Sequence, residues 1–250
     1  YFDSQKGASI HARSLVRAFE QEGCRVNVFA VRQGRGRPAG FACEQTGKSR
    51  LTQWYLARVL EEGLFCKPFA SRETRRLARA NYAPPAWMTA LGILLWQRDF
   101  YRAVRNACRD ARPDLLYARN AWFGFAYARL KKALGAPLIL EVNAVCTLER
   151  AMRRQNAFDW LSRRIERRAL READLILPVT LELKRQVLDF CPGLDERKVV
   201  VTPNAVDLDL FHPREPRALR AADDEFVVGC VHSFKAYHGM EVLLETAAEK

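Results

Sequence analysis

The sequence predicts an α/β fold: a parallel sheet with helices on both faces, followed by the first strand–helix unit of a second such domain. Three observations predict it. Short apolar runs recur, "DLLYA", "PLILEV", "DLILPV" and "KVVVT", without the polar alternation of a sheet that faces water. Helical patterns separate these runs, the order expected of strands joined by crossover helices. A polar, proline-containing stretch after Phe211 then interrupts the pattern, and "FVVGCV" starts it again.

In chain order, Ala8 to Glu22 places Ala8, Ala12, Leu15 and Phe19 on one helical face, and Gly23 stops it. "RVNVFAV", Arg25 to Val31, reads as a strand. "RQGRGRPAGFACEQTGKS" reads as a loop rich in Gly and Arg. Leu51 to Glu62, Ser71 to Asn81 and Pro85 to Asp110 read as helices. Strand Asp114 to Ala118 precedes helix Trp122 to Leu134, which Gly135 ends. Strand Pro137 to Val142 precedes a long loop and the basic helix Ala157 to Glu172. "DLILPV" precedes helix Leu181 to Phe190, with Thr180 as N-cap. "KVVVT" closes the first domain, predicted over residues 1–205. Residues 206–225 form a linker, and a second α/β domain opens over 226–250, with a strand and a helix from Met240 to Lys250. A chain that begins on "YFDSQKG" and ends inside a helical pattern reads as a fragment.

The totals narrow the function. A net charge of +12, carried by arginine clusters such as Arg163-Arg164 and Arg167-Arg168, suits nucleic acid, an anionic membrane surface or a phosphorylated substrate. A solvated basic surface accounts for it equally. The seven cysteines are scattered with no C-x-x-C pair, which argues against a zinc ribbon or a disulfide framework and for reduced thiols filling core space. The apolar stretch Ala86 to Trp96 is shorter than the ~20 residues that span a bilayer. It reads as a buried helix, or more weakly as an interfacial one.

Parallel sheets bind ligands at the carboxyl ends of their strands. That directs attention to the residues after Ala118, Val142, Val179 and Thr202, and to the loop before Ala8. Four motifs compete. "ACEQTGKS", Ala42 to Ser49, is a relaxed P-loop that lacks the first glycine and does not follow its strand directly. Asp207 and Asp209 form a D-x-D, the carboxylate pair that holds a divalent metal against a diphosphate, or an Asx-type turn. "HSFKAYHG", His232 to Gly239, lies between a strand and a helix and has the make-up of an anion site, with Lys235, His238 and amides at the helix start. His232 and His238 lack a third metal ligand in sequence reach. "SQKGASIH" sets Lys6 and Gly7 before a helix start, a weaker site of the same kind.

Taken in order, the segments resemble the retaining GT-B glycosyltransferases of the glycogen-synthase-like group, glycosyltransferase family 4. "KGASIHARSLVRAFEQEGCRVNVFAV" is similar to that family's first glycine loop, helix and strand. "ADLILPVTLELKRQV" resembles its last N-domain strand and helix. "KVVVTPNAVDLDLFHP" is similar to its P-N-G-V-D…F-x-P segment. "VGCVHSFKAYHGMEVLLETAAE" resembles the opening of its nucleotide-binding domain.

The resemblance implies two Rossmann-like domains. It implies transfer of a sugar from a UDP- or GDP-linked donor to a glycan or lipid-phosphate acceptor, with retention of configuration and with no metal or other cofactor. It makes Asp207 and Asp209 a domain crossing. It assigns the donor diphosphate to Lys6, Gly7, Lys235, His238 and Gly239, where positive groups offset the charge of the leaving diphosphate. It aligns Asn143 with a histidine of many members, makes Glu141 and Asn143 the catalytic candidates or else readers of the substrate, with a paired structural carboxylate as the alternative for Glu141, and gives substrate contacts to Arg119, Asn120 and Asn204. Ser233 and His238 stand where the family commonly has Arg and Lys. Glu241 and Glu249 copy the spacing of the donor-side E-x7-E, but in the wrong helix, so the pair reads as coincidence and the fragment as inactive alone. The expected location is the cytoplasm, with a peripheral place on the inner membrane face. Nucleic acid is not an expected partner, since no recognition motif accompanies the charge.

Overall fold

A computed structural model describes residues 7–30, 43–45, 49–55, 85–208 and 239–248. The chain divides into two compact units, Tyr1–Asn204 and Ala205–Lys250. The first holds a three-stranded parallel sheet of β3 (Leu116–Arg119), β4 (Leu138–Val142) and β5 (Leu175–Pro178), with β4 in the middle. A two-stranded parallel sheet pairs β1 (Val28–Ala30) with β2 (Cys43–Gln45). The helices are α1 (Gly7–Gln21), α2 (Arg50–Trp54), α3 (Ala86–Ala107), α4 (Phe125–Leu134), α5 (Cys146–Met152), α6 (Asp159–Glu172) and α7 (Leu181–Phe190). The α/β class read from the sequence is what the structure shows.

Register sorts the sheet into two faces. Leu116 pairs with Leu138, Ala118 with Leu140, and Leu140 with Ile176. Leu138, Leu140, Val142 and Ile176 therefore share one face. They form the main core cluster with Tyr127 of α4, Ala169 and Leu170 of α6, and Leu183, Val187 and Phe190 of α7. Tyr117, Arg119, Ile139 and Glu141 lie on the opposite face. There α1 makes an edge-to-face contact through Phe19 and Tyr117, with ring centroids 6.0 Å apart.

Several elements match their sequence signals closely. α7 spans Leu181–Phe190 as expected, and its Thr180 cap accepts a hydrogen bond from the Leu183 amide at 3.1 Å. α4 stops at Gly135, whose φ of +68° is costly for a residue with a Cβ. Cys108 and Cys191 are buried, whereas Cys24 is exposed. The Ala86 to Trp96 stretch lies in α3, half-buried: Met88, Ala90 and Gly92 face inward while Trp87 and Leu91 are exposed. Among the described residues no helix is long and apolar enough to cross a membrane.

Four expectations need correction. The segment 32–49 is not loop throughout, because Cys43–Gln45 pairs with β1 as a short strand. The long loop after β4 contains α5. α4 begins at Phe125 rather than Trp122, because Ala121 to Gly124 closes a turn through a 2.9 Å amide–carbonyl bond. A Cβ on Gly124 would meet the Tyr127 ring at 2.7 Å, so the turn needs the bare backbone. "KVVVT" runs beside β5 without forming a full ladder: Val199 bridges Ile176, and the amides of Val200 and Thr202 donate to Ile176 and Pro178. The second unit is described at 205–208, Gly239 and α8 (Met240–Ala248). Of the expected helix Leu51 to Glu62 the described part is α2 and Tyr55; the rest of it, the expected helix Ser71 to Asn81, the strand Phe226 to Val231 and the linker from residue 209 lie outside the described residues.

Candidate functional site

The carboxyl ends of β3 and β4 gather one group of polar side chains. β4 turns Glu141 away from the main core cluster, and the carboxylate is 4% exposed. Its Oε2 accepts from the His11 imidazole Nε2 at 2.9 Å and from the Tyr117 hydroxyl at 2.9 Å. Its Oε1 accepts from the Asn143 amide, and Arg119 Nε lies 3.5 Å from the same oxygen. An ionised carboxylate only accepts, so the proton of that imidazole bond sits on His11 Nε2.

Electrostatics favour the ionised form. Burial acts most strongly on Glu141 and would raise its pKa, but the bonds from His11, Asn143 and Tyr117 together hold it below the ordinary carboxylate value. Tyr117 is pushed far up, first by burial and then by the charge of Glu141, so it stays a donor. An anion so committed is a weak base near neutral pH. What it does well is fix its donors. Arg119 keeps an exposed side chain, His11 is part-exposed and Asn143 half-buried, so all three border solvent at the strand ends.

A second carboxylate lies under the next turn. Glu166 of α6 is 1% exposed. It accepts from the Cys146 amide at 2.8 Å, the Thr147 amide at 2.9 Å and Asn120 Nδ2 at 2.6 Å. It therefore caps α5 from another helix. Burial, then the Glu166 charge, pushes the Cys146 thiol up to about 12, which keeps it an unreactive thiol at neutral pH.

The sequence-derived candidates separate accordingly. Glu141, Asn143 and Arg119 come together. Asn120 is turned inward, its amide donating to Glu166 at 2.6 Å and to the Ala144 carbonyl at 3.2 Å, which ties it to the scaffold under this turn. Asn204 is exposed at the last position of the first unit, away from this group's hydrogen bonds. Gly7 opens α1, and Gly239, with φ +67°, precedes α8. Lys6, Lys235 and His238 lie outside the described residues. His11, Tyr117 and Glu166 were missed. Their sequence neighbourhoods are ordinary helix and strand, and only the fold brings His11 to Glu141.

The rival motifs fare differently. In "ACEQTGKS" the stretch that a P-loop would wrap around phosphate contains strand β2. Ser49, which would meet magnesium, caps α2 through Thr52 and donates its amide to Asp99 at 2.8 Å. That geometry makes Ser49 a helix cap, and Thr46 to Lys48 lie outside the described residues. Asp207 is exposed and Asp209 lies outside the described residues. Among the described residues no group of three or more His, Cys, Asp or Glu is placed to hold a metal. Glu241 stands in the first turn of α8, and Glu249 lies outside the described residues.

No curated protein sequence matches the chain. A family does: the model of Glycosyltransferase Family 4 matches residues 5–210, a span that holds the parallel sheet, α1 and the whole Glu141 cluster. With the Rossmann-like parallel sheet and a polar cluster at its strand ends, that match over most of the chain shows that the protein belongs to glycosyltransferase family 4.

Proposed function

We propose that this glycosyltransferase moves a hexose from a UDP- or GDP-linked donor to a glycan or lipid-phosphate acceptor, with retention of configuration and without a metal. The reading is carried by the Glu141 cluster, a fixed anion ringed by donors at the strand ends of a family-matched domain. Glu141 is a positioning residue in this scheme. It holds Arg119, Asn143 and His11 toward the acceptor and the transferring sugar. The sugar–phosphate bond breaks, the acceptor oxygen takes the anomeric carbon, and the acceptor proton leaves with the diphosphate. Lys6, Gly7, Lys235, His238 and Gly239 are the groups assigned to the charge of that diphosphate.

The test is nucleoside diphosphate release by the full-length protein from UDP- and GDP-hexoses, with EDTA present and with Mg²⁺ added. Release that persists in EDTA, with an axial or equatorial product matching the donor by NMR, supports the proposal. Release that stops in EDTA and returns with Mg²⁺ overturns metal independence, and an inverted product overturns retention. Mg-ATP binding abolished by Lys48→Ala would restore the P-loop reading.

A further inference from the structure

Helix α6 buries Ser162, Glu166, Ala169 and Leu170. Trp160, Arg164, Arg168 and Arg171, at spacings of three and four, form a stripe on its outer side. Trp160 is 70% exposed. At the end of α5 Met152 is 79% exposed, and in the turn that enters α6 Phe158 is 42% exposed. Large apolar side chains gathered in water beside cations mark a contact surface. Arg163 and Arg167 extend the basic face by lying over the Phe190 ring, 5.8 and 5.2 Å from its centroid. The arginines of α6 and Trp160 line a trough of about 730 Å³. Glu172 at its edge is already opposed by Lys132 at 2.8 Å and by Arg168 at 3.9 Å.

The stripe also has a direction. A crossover helix runs antiparallel to the strands it joins, so the start of α6 lies at the strand carboxyl ends. Met152, Phe158 and Trp160 therefore sit at the end of the sheet that carries Glu141, and the arginines trail toward the other end. We infer that α6, the turn before it and the end of α5 dock the chain on an anionic lipid surface. Met152, Phe158 and Trp160 enter the interface, and Arg164, Arg168 and Arg171 meet headgroup phosphates. A phosphodiester strand matches the arginines but leaves Met152 and Phe158 in water, whereas a bilayer takes up both. The purpose of the docking, bringing a lipid-phosphate acceptor to the strand ends, rests on the function proposed above.

The experiment is sedimentation of the full chain with phosphatidylcholine vesicles, with and without phosphatidylglycerol. Binding is expected only with the anionic lipid, and it weakens with salt. Arg164→Glu with Arg168→Glu lowers the partition constant by about tenfold or more. Arg102→Glu with Arg109→Glu, the same charge change at exposed positions of α3 and the turn after it, lowers it by less than about threefold. Brominated lipid quenches a part of the fluorescence that Trp160→Phe removes. Circular dichroism confirms that the variants fold. Equal losses in the two double variants, the absence of Trp160-dependent quenching, or binding to single-stranded RNA in place of vesicles overturns the inference. These readouts need neither donor nor acceptor. A chain that binds vesicles but transfers no sugar sinks only the proposed function, and one that transfers sugar but ignores vesicles sinks only this inference.

Discussion

Replacing Glu141 by glutamine keeps the shape of the side chain and removes its charge. It also turns an amide N–H against one of the donors that now converge on the carboxylate, from His11, Tyr117, Asn143 and Arg119. Charge-assisted bonds of this kind contribute about 1.5–3 kcal/mol each, and the site solvates part of the loss, so the expected destabilisation is ~2 kcal/mol at pH 7. Its pH dependence has a definite sign. The folded pKa of Glu141 lies below the ordinary 4.5, so the stabilisation is fully present above that value and is lost as pH falls through the depressed folded value. Urea midpoints of wild type and Glu141→Gln should therefore converge as pH is lowered from 7 toward 3. A constant gap would mean that shape, not charge, is at stake. In transfer assays the same variant should lose about 10²-fold in kcat as Arg119 and Asn143 lose their anchor. The strand-end rule directs attention to the residues after Ala118 and Val142, hence to Arg119 and Asn143, and the family resemblance adds Glu141. His11 is not legible in the sequence, because its partner is 130 positions away and nothing local distinguishes it from a polar helix residue.

At the scale of elements, α5 is the instructive failure. Its seven residues, Cys146 to Met152, carry no capping side chain at the N-cap position, Val145, so the sequence reads as loop. The cap comes instead from Glu166, twenty residues after Cys146, through the amides of Cys146 and Thr147. Glu166→Ala leaves the Cys146 and Thr147 amides without their acceptor, and leaves the Asn120 amide with the Ala144 carbonyl and the Cys146 sulfur. At about 1–3 kcal/mol for an unsatisfied buried group, and with partial relaxation, the expected loss is ~3 kcal/mol in a urea melt. Glu166→Gln keeps one acceptor oxygen and should lose about half as much. An unchanged midpoint for Glu166→Ala would mean that water replaces the carboxylate and that α5 does not depend on it. By contrast, α7 carries its own cap in Thr180 and its own apolar spacing in Leu183, Val187 and Phe190, and its bounds follow from the sequence alone. Elements whose stabilising contacts are local are readable. β2, three residues held by parallel pairing to β1, and α5, capped from a distance, are not.

For the whole molecule, the distribution of buried apolar side chains makes the last prediction. Among the described residues every buried hydrophobic side chain lies between Val16 and Val199, within the unit that ends at Asn204. The three core clusters draw only on that unit, while Val242, Leu243 and Leu244 of α8 are exposed. Burial of apolar surface is the main favourable term in folding, so the cooperative transition should belong to Tyr1–Asn204. A chain ending at Asn204 is expected to unfold in urea as one transition, with a midpoint close to that of the full chain. The groups proposed for the donor diphosphate are divided differently: Lys6 and Gly7 precede that end, but Lys235, His238 and Gly239 follow it. The shortened chain should therefore keep its fold and show no thermal shift with UDP or GDP, because a ligand raises the melting point only where it binds the folded form. A broad, non-cooperative melt would mean that the second unit completes the core of the first. A retained nucleotide shift would place the donor diphosphate at the Lys6–Gly7 helix start alone, and would remove Lys235, His238 and Gly239 from the site.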